Sequence, residues 1–205
     1  GKTGPRNWAE SPRVVDAFDA KAHAIAALMA AGAPVSNLQV TTDAPDFYHP
    51  GRSGILRLGL KNVLARFGEI HPGVLRKMGV KTALVGFEVF LDSIPQPKAK
   101  KSAAKSHLTL SQFQAVERDF AFVVDVDTAA GNVVRAAMSA DKVLITDVNV
   151  FDVFIGGSLG EEKKSLAVNV RLQPVEKTLT DADIEAVAQS IVASVEKATG
   201  GVLRG

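Results

Sequence analysis

The chain has no cysteine, a single tryptophan and a single tyrosine. Without cysteine there is no disulfide framework, no thiolate nucleophile and no zinc–thiolate centre, which fits a reducing, cytoplasmic setting. No apolar run approaches the about 18 residues that a membrane span requires. The opening stretch, GKTGPRNWAE, is polar and carries no secretory signal. No GxSxG elbow is present, so a serine-hydrolase centre is not expected. The glycines at 156, 157 and 160 are followed by no GK[ST], so they do not make a phosphate loop. The chain starts at Gly1 rather than methionine, as expected of a processed chain or a piece of a longer one.

What remains is 205 residues that are 46% hydrophobic and 22% charged, enough apolar material for more than one core. The net charge of +2 is unevenly spread: +3 over 1–92, +4 over 93–109 and −5 over 110–205. The middle stretch, SIPQPKAKKSAAKSHLT, holds two prolines and four lysines and shows neither helix nor strand period. It reads as an exposed basic linker, and its lysines (Lys98, Lys100, Lys101, Lys105) suit either a solvated spacer or phosphate contacts. Three segments follow: a first domain over 1–92, the linker over 93–109 and a second domain over 110–205.

In the first domain, residues 17–31 read as a helix with Phe18, Ala22, Ile25, Leu28 and Met29 on one face, ended at Gly32. Strands are expected near Asn37–Thr42, Gly54–Leu60 and Asn62–Ile70, a short helix over Gly73–Met78 and a strand over Lys81–Leu91. Consecutive strands joined by short turns imply an antiparallel sheet, so this domain is α+β. The triplet His-Pro-Gly occurs twice, at 49–51 and 71–73. With Glu69, the histidines His49 and His71 form a possible zinc or iron set. Each His also precedes Pro-Gly, a turn signal, which favours histidines bonded to backbone at turns.

The second domain is clearer. Strands are expected at Glu117–Val124, Leu144–Phe154 and Lys163–Leu172, with a helix over Thr128–Ser139 that turns Val134, Ala137 and Met138 inward. Thr180 is placed to cap a long helix whose first turn carries Asp181 and Asp183. Its apolar stripe is Ile184, Val187, Ala188, Ile191, Val192 and Val195. Gly200–Gly201 ends it, and Val202–Leu203 suit a short last strand. The order βαββαβ is that of a ferredoxin-like fold.

Such a fold covers one sheet face with its helices and leaves the other open. Strand alternation puts Phe120, Phe122 and Val124 inside with Leu166, Val168, Val170 and Leu172. Asp119, Ala121, Val123, Ser165, Ala167, Asn169 and Arg171 then face out. The second strand is apolar on both sides; Val148 and Val150 are taken as inward, and Asp147, Asn149, Phe151 and Val153 as outward. A polar open face with one aromatic suits base stacking by a single-stranded RNA reader, and equally suits packing against another domain. The pair Asp125 and Asp127 reads as a solvated loop before a helix rather than a catalytic dyad.

Two sets of motifs resemble the C-terminal part of the beta subunits of bacterial phenylalanine–tRNA ligases (phenylalanyl-tRNA synthetases). The first comprises Val15–Asp16 and FDAK at 18–21, HPGRS at 49–53, GEIHP at 68–72 and GFEVFLD at 86–92. These are similar to a class II synthetase-like domain that does no chemistry. The second comprises SQFQAVERDFAFVVD at 111–125, DVNVFDVF at 147–154, KKSLAVNV at 163–170 and KTLTDADI at 177–184. These are similar to a ferredoxin-fold anticodon-binding domain. The family often has a basic residue where Glu117 stands, a tyrosine and a basic residue at Phe154–Ile155, and a proline at Gln114.

The resemblance implies packing against a catalytic alpha subunit in an alpha-beta heterotetramer. It also implies binding of the anticodon stem-loop of phenylalanine tRNA, with ATP and magnesium held elsewhere in the whole enzyme. His49 and His71 are then structural, and no catalytic or metal residue is expected in this chain. From alternation, the RNA contacts are expected from Phe151 as a stacking platform, Asn149, Ser165 and Asn169 as hydrogen-bonding groups, Arg171 toward phosphate or base, and Ala121 as a small floor. The net charge of −5 predicts weak RNA binding by the second domain alone. The competing reading from topology is an amino-acid-sensing regulatory module, which free amino-acid binding would reveal.

Overall fold

The computed structural model describes residues 1–96 and 110–204. The linker expected at 93–109 lies outside the described residues from position 97 on. The chain divides into two compact units, 1–103 and 104–205.

The first unit is a four-stranded antiparallel sheet in the order β1-β2-β3-β4, built from Gln39–Thr41, Tyr48–Leu58, Asn62–Ile70 and Val85–Val89. Helix α1 (Ala17–Ala30) begins with a capping box. The Asp16 carboxylate accepts from the backbone of Phe18 and Asp19, the Asp19 carboxylate accepts from the Asp16 N–H, and Arg13 donates to Asp19. The helix packs on β3 and β4 through Ala20, Ala24 and Leu28, which join Leu56, Leu64, Ala65 and Phe67 in one core. The expected face is therefore corrected in part: Leu28 is buried and Ile25 packs against this core as expected, but Phe18, Ala22 and Met29 face outward. Phe18 is 76% exposed and Met29 62% exposed, while the alanine row faces the sheet. Small side chains let the helix lie close to the strands, and in so alanine-rich a helix period alone does not reveal the buried row. Ile94, just past a short 3-10 turn at Leu91–Ser93, also packs into this core.

The two His-Pro-Gly triplets are placed differently. The second opens α2 (Pro72–Lys77): His71 is the N-cap and its Nδ1 accepts from the Gly73 N–H at 3.0 Å, with Pro72 in the first turn. The first is no turn. Its three residues lie within β2, where the pairing with β3 slips between Tyr48 and Ser53. There His49 repeats the same local bond, its Nδ1 accepting from the Gly51 N–H at 3.1 Å. A proline inside a strand is tolerated at such an irregularity because no ladder N–H is needed from it.

The second unit is a four-stranded antiparallel sheet in the order β6-β7-β5-β8. Its strands are β5 (Val116–Asp125), β6 (Ile145–Ile155), β7 (Lys163–Leu172) and β8 (Val202–Leu203). Helices α3 (Ala130–Ala140) and α4 (Asp181–Thr199) pack on each other and on the sheet. This is the expected βαββαβ order with the last strand in place. Thr180 and Asp183 form a full capping box at α4, and Gly200 closes the helix at φ 67°. Phe120, Phe122, Val124, Leu166, Val168, Val170 and Leu172 fill the core with Ile191 and Val195 from α4. Among the described residues no helix is long and apolar enough to cross a membrane.

Candidate nucleic-acid interface

The register of the second sheet fixes which side chains share its helix-free face. Three cross-strand rows can be followed. Glu117, Arg171 and Asp147 form one, Asp119, Asn169 and Asn149 the next, and Ala121, Ala167 and Asp152 the third. Beyond them Val123, Ser165 and Phe154 line up, with Val202 of β8 opposite Val123.

The third row and the one after it differ from the expectation in one respect. Strand β6 carries two irregularities, one between Ile145 and Asp147 and one between Val150 and Asp152. The second inserts Phe151 as an extra residue without a cross-strand partner, so every later side chain changes face. Asp152 and Phe154 take the open face, and Val153 stands opposite the core residue Leu166. Phe154 thus joins the open face; Phe151, at the irregularity itself, is exposed, and so is Val153 although it stands opposite Leu166.

Phe154 meets a residue that strand alternation had not brought forward. The Arg204 N–H donates to the Ala121 carbonyl at 2.7 Å, continuing the β5–β8 ladder by one position. That puts Arg204 on the open face at the far edge of the sheet from Phe154. Their side chains reach across β5 and β7, and the Arg204 guanidinium lies over the Phe154 ring, 5.9 Å from its centroid. Between them β5 and β7 present the small residues Ala121, Ala167 and Ser165, with Val123 beside them. Larger side chains there would hold the two apart. Ser165 is buried, so the hydrogen bond to RNA expected from it is corrected: it serves as part of the small-residue floor. Arg204 was legible in principle, since the short last strand predicted at Val202–Leu203 puts the next residue on the same side as Val202.

The neighbouring rows are polar and rich in acceptors. Asn169 donates from Nδ2 to Asp119 at 2.7 Å and Asn149 from Nδ2 to Asp147 at 2.5 Å. Both amides spend an N–H on a carboxylate, which leaves their carbonyl oxygens toward solvent. Arg171 is exposed and stands between Glu117 and Asp147 in register, with no ion pair within 4 Å among the described residues. These rows and Arg204 bring two arginines and four carboxylates to the face, and the pair Asp125 and Lys163 at its end adds one charge of each sign. Such a surface favours base edges and flat π faces over a run of phosphates.

In the first unit, His49 and Glu69 are brought together, but through an arginine. Arg52 bonds the His49 Nε2 at 2.9 Å and pairs with Glu69 at 3.2 Å. His71 is spent on its helix cap. Among the described residues no three His, Cys, Asp or Glu side chains are grouped as a metal site.

Residues 1–91 match the family model of the phenylalanyl tRNA synthetase beta chain CLM domain, and residues 111–204 match that of the ferredoxin-fold anticodon binding domain. Among similar proteins is the phenylalanine–tRNA ligase beta subunit of Mesorhizobium japonicum, 58% identical over 200 residues that make up 98% of this chain and 25% of that protein. The Brucella abortus subunit is 59% identical over the same shares, and that of Paramagnetospirillum magneticum 57% identical over all of this chain and 26% of its own length. This chain spans about a quarter of these relatives. The two domain matches, in this order and at this identity, establish that the chain belongs to the phenylalanine–tRNA ligase beta-subunit family.

Proposed function

We propose that this chain is a tRNA-holding and subunit-packing portion of a phenylalanine–tRNA ligase, and that the ATP- and magnesium-dependent aminoacylation is carried out elsewhere in the whole enzyme. The single observation that carries the RNA side is the pairing of Arg204 with Phe154 above Ala121, Ala167 and Ser165. With the guanidinium over the phenyl ring, the outer plane of the pair offers a flat surface on which an unstacked anticodon base of phenylalanine tRNA stacks. Ala121 and Ala167 keep the floor low enough for the base to approach the sheet. Asp152 and the carbonyl oxygens of Asn149 and Asn169 offer acceptors to a base edge, and Arg171 offers the cation of the adjoining row. With an acidic face, affinity for the isolated stem-loop is low, and the rest of the enzyme supplies the remainder.

The packing side rests on the first unit. Phe18 and Met29 stand on the outer side of α1 with Ala22 and Ala26 between them at helical spacing. An uncharged, exposed helix row of this kind suits burial against a catalytic alpha subunit.

The test is chemical-shift mapping with the anticodon stem-loop of phenylalanine tRNA. The amides of Ala121, Ser165, Ala167 and Arg204 are expected to shift, while those of α3 and of the first unit stay in place. Shifts confined to the helix side of the second unit would overturn the assignment.

A further inference from the structure

Strand β5 is only partly covered on its outer edge. It pairs with β8 at Phe122 and Val123, and the ladder ends with the bond from Arg204 to Ala121. Hydrogen-bonded pairs alternate along an antiparallel ladder, so the peptide groups of Ala121, Asp119 and Glu117 point toward this edge. Those of Asp119 and Glu117 have no backbone partner there among the described residues. Both residues are exposed. An edge strand with free N–H and C=O groups is a template for another strand unless something covers it.

The space beside that edge has the shape such a strand needs. A groove of about 540 Å³ runs between β5 and α4. Its floor is apolar, with Phe120, Ala188, Val192 and Leu203. Its rim carries three carboxylates, Asp119, Glu185 and Glu196, with Arg204 as the one cation among the lining residues. Neither Glu185 nor Glu196 is held in an ion pair within 4 Å among the described residues.

We propose that the free edge of β5 and its groove against α4 hold an extended, basic peptide segment of a protein partner, added to the sheet as a further strand. Backbone bonds to Glu117 and Asp119 fix the segment. Alternate side chains then face the apolar floor; lysines or arginines on the other side meet Glu117 and Asp119, and those at the segment's ends reach Glu185 and Glu196 at the rim. A nucleic-acid strand is disfavoured there, because its phosphates would face three carboxylates. Arg204 and Ala121 border both surfaces, but the base platform at Phe154 does not use Glu185 or Glu196, so these two glutamates separate the surfaces by mutation.

The probes are two short peptides, one alternating lysine with valine and one alternating glutamate with valine, added to the 205-residue chain. The lysine peptide is expected to slow hydrogen exchange of the Asp119 amide and to shift the amides of Glu117 to Ala121. The double variant Glu185→Gln, Glu196→Gln, exposed at both positions, is expected to weaken that binding about tenfold without weakening stem-loop binding. The proposal is overturned if the two peptides bind alike, if neither binds, or if the shifts fall away from β5. It is also overturned if the free chain self-associates through this edge, or if the stem-loop competes with the lysine peptide for it.

Discussion

Replacing Gly68 by alanine should destabilise the first unit by several kcal/mol, and the reason lies in the GEIHP motif itself. Gly68 has φ 150°, a region that favours glycine. A Cβ there would lie 2.4 Å from the Ser53 Cβ, 2.6 Å from its Cα and 2.7 Å from the Arg52 carbonyl oxygen. Two of those three atoms are backbone, so no rotamer change relieves the contact. Backbone strain contributes about 1–3 kcal/mol and overpacking about as much again. A total of roughly 2–6 kcal/mol is a large share of the 5–15 kcal/mol that typically holds a domain. Gly86 supplies the control: it faces Gly68 across β3 and β4, its φ is not positive, and an added Cβ meets nothing within 4 Å. Gly86→Ala should be neutral or stabilising by up to about 1 kcal/mol. The single tyrosine, Tyr48, is buried in the first unit, so its near-ultraviolet circular dichroism reports that unit during urea unfolding. Equal urea midpoints for Gly68→Ala and Gly86→Ala would refute the steric argument.

Three further predictions concern local chemistry. His71→Ala removes the side-chain cap of α2 and should lower the stability of the first unit by about 1 kcal/mol in urea unfolding, with no change on adding or chelating metal. The Asp183 carboxyl, hydrogen-bonded by the Thr180 backbone, Lys177 and the Thr180 hydroxyl, sits at a pKa of about 2, below its ordinary 3.8. Its folded value is depressed, so its contribution to stability is full above about pH 4 and is lost as pH falls toward 2. Asp183→Asn should therefore flatten the acid limb of the stability curve in that window. Burial raises Tyr48 from 10 to about 12, so its contribution is present below pH 10 and is lost as pH rises through 12. An ultraviolet titration with a midpoint near 10 in the folded chain would contradict that.

Much of the second unit was legible because its signals agree. The α4 stripe, the Thr180 cap and the Gly200 stop all point to one helix, and strands β5 and β7 alternate cleanly between core and surface. Strand β6 broke the alternation argument. Its run VNVFDVF is apolar on both sides, so period two gives no register, and its two irregularities are recorded only in the pairing with β7. Phe154, which joins the open face only after the second irregularity, was therefore not found, and Phe151 falls on the irregularity itself. Arg204 needed only the short strand expected at Val202–Leu203 to be followed one residue further, whereas its partner Phe154 depended on the long-range pairing of β6. In the first unit, alanine-rich α1 hid its buried row, and His-Pro-Gly at 49–51 looked like the turn it is not. The local role of both histidines, each accepting from the glycine N–H two residues on, was within reach because the two triplets share one chemistry.

The central claim, that a base stacks on Phe154 and Arg204, is tested most directly by fluorescence anisotropy with a labelled anticodon stem-loop of phenylalanine tRNA at low salt. A stem-loop with an altered anticodon and the variants Phe154→Ala and Phe151→Ala are run beside it. Loss of one stacking partner costs about 1–3 kcal/mol, so Phe154→Ala should weaken binding by at least about fivefold while Phe151→Ala stays close to the parent. Equal weakening by both variants, or a larger loss from Phe151→Ala, would contradict the account.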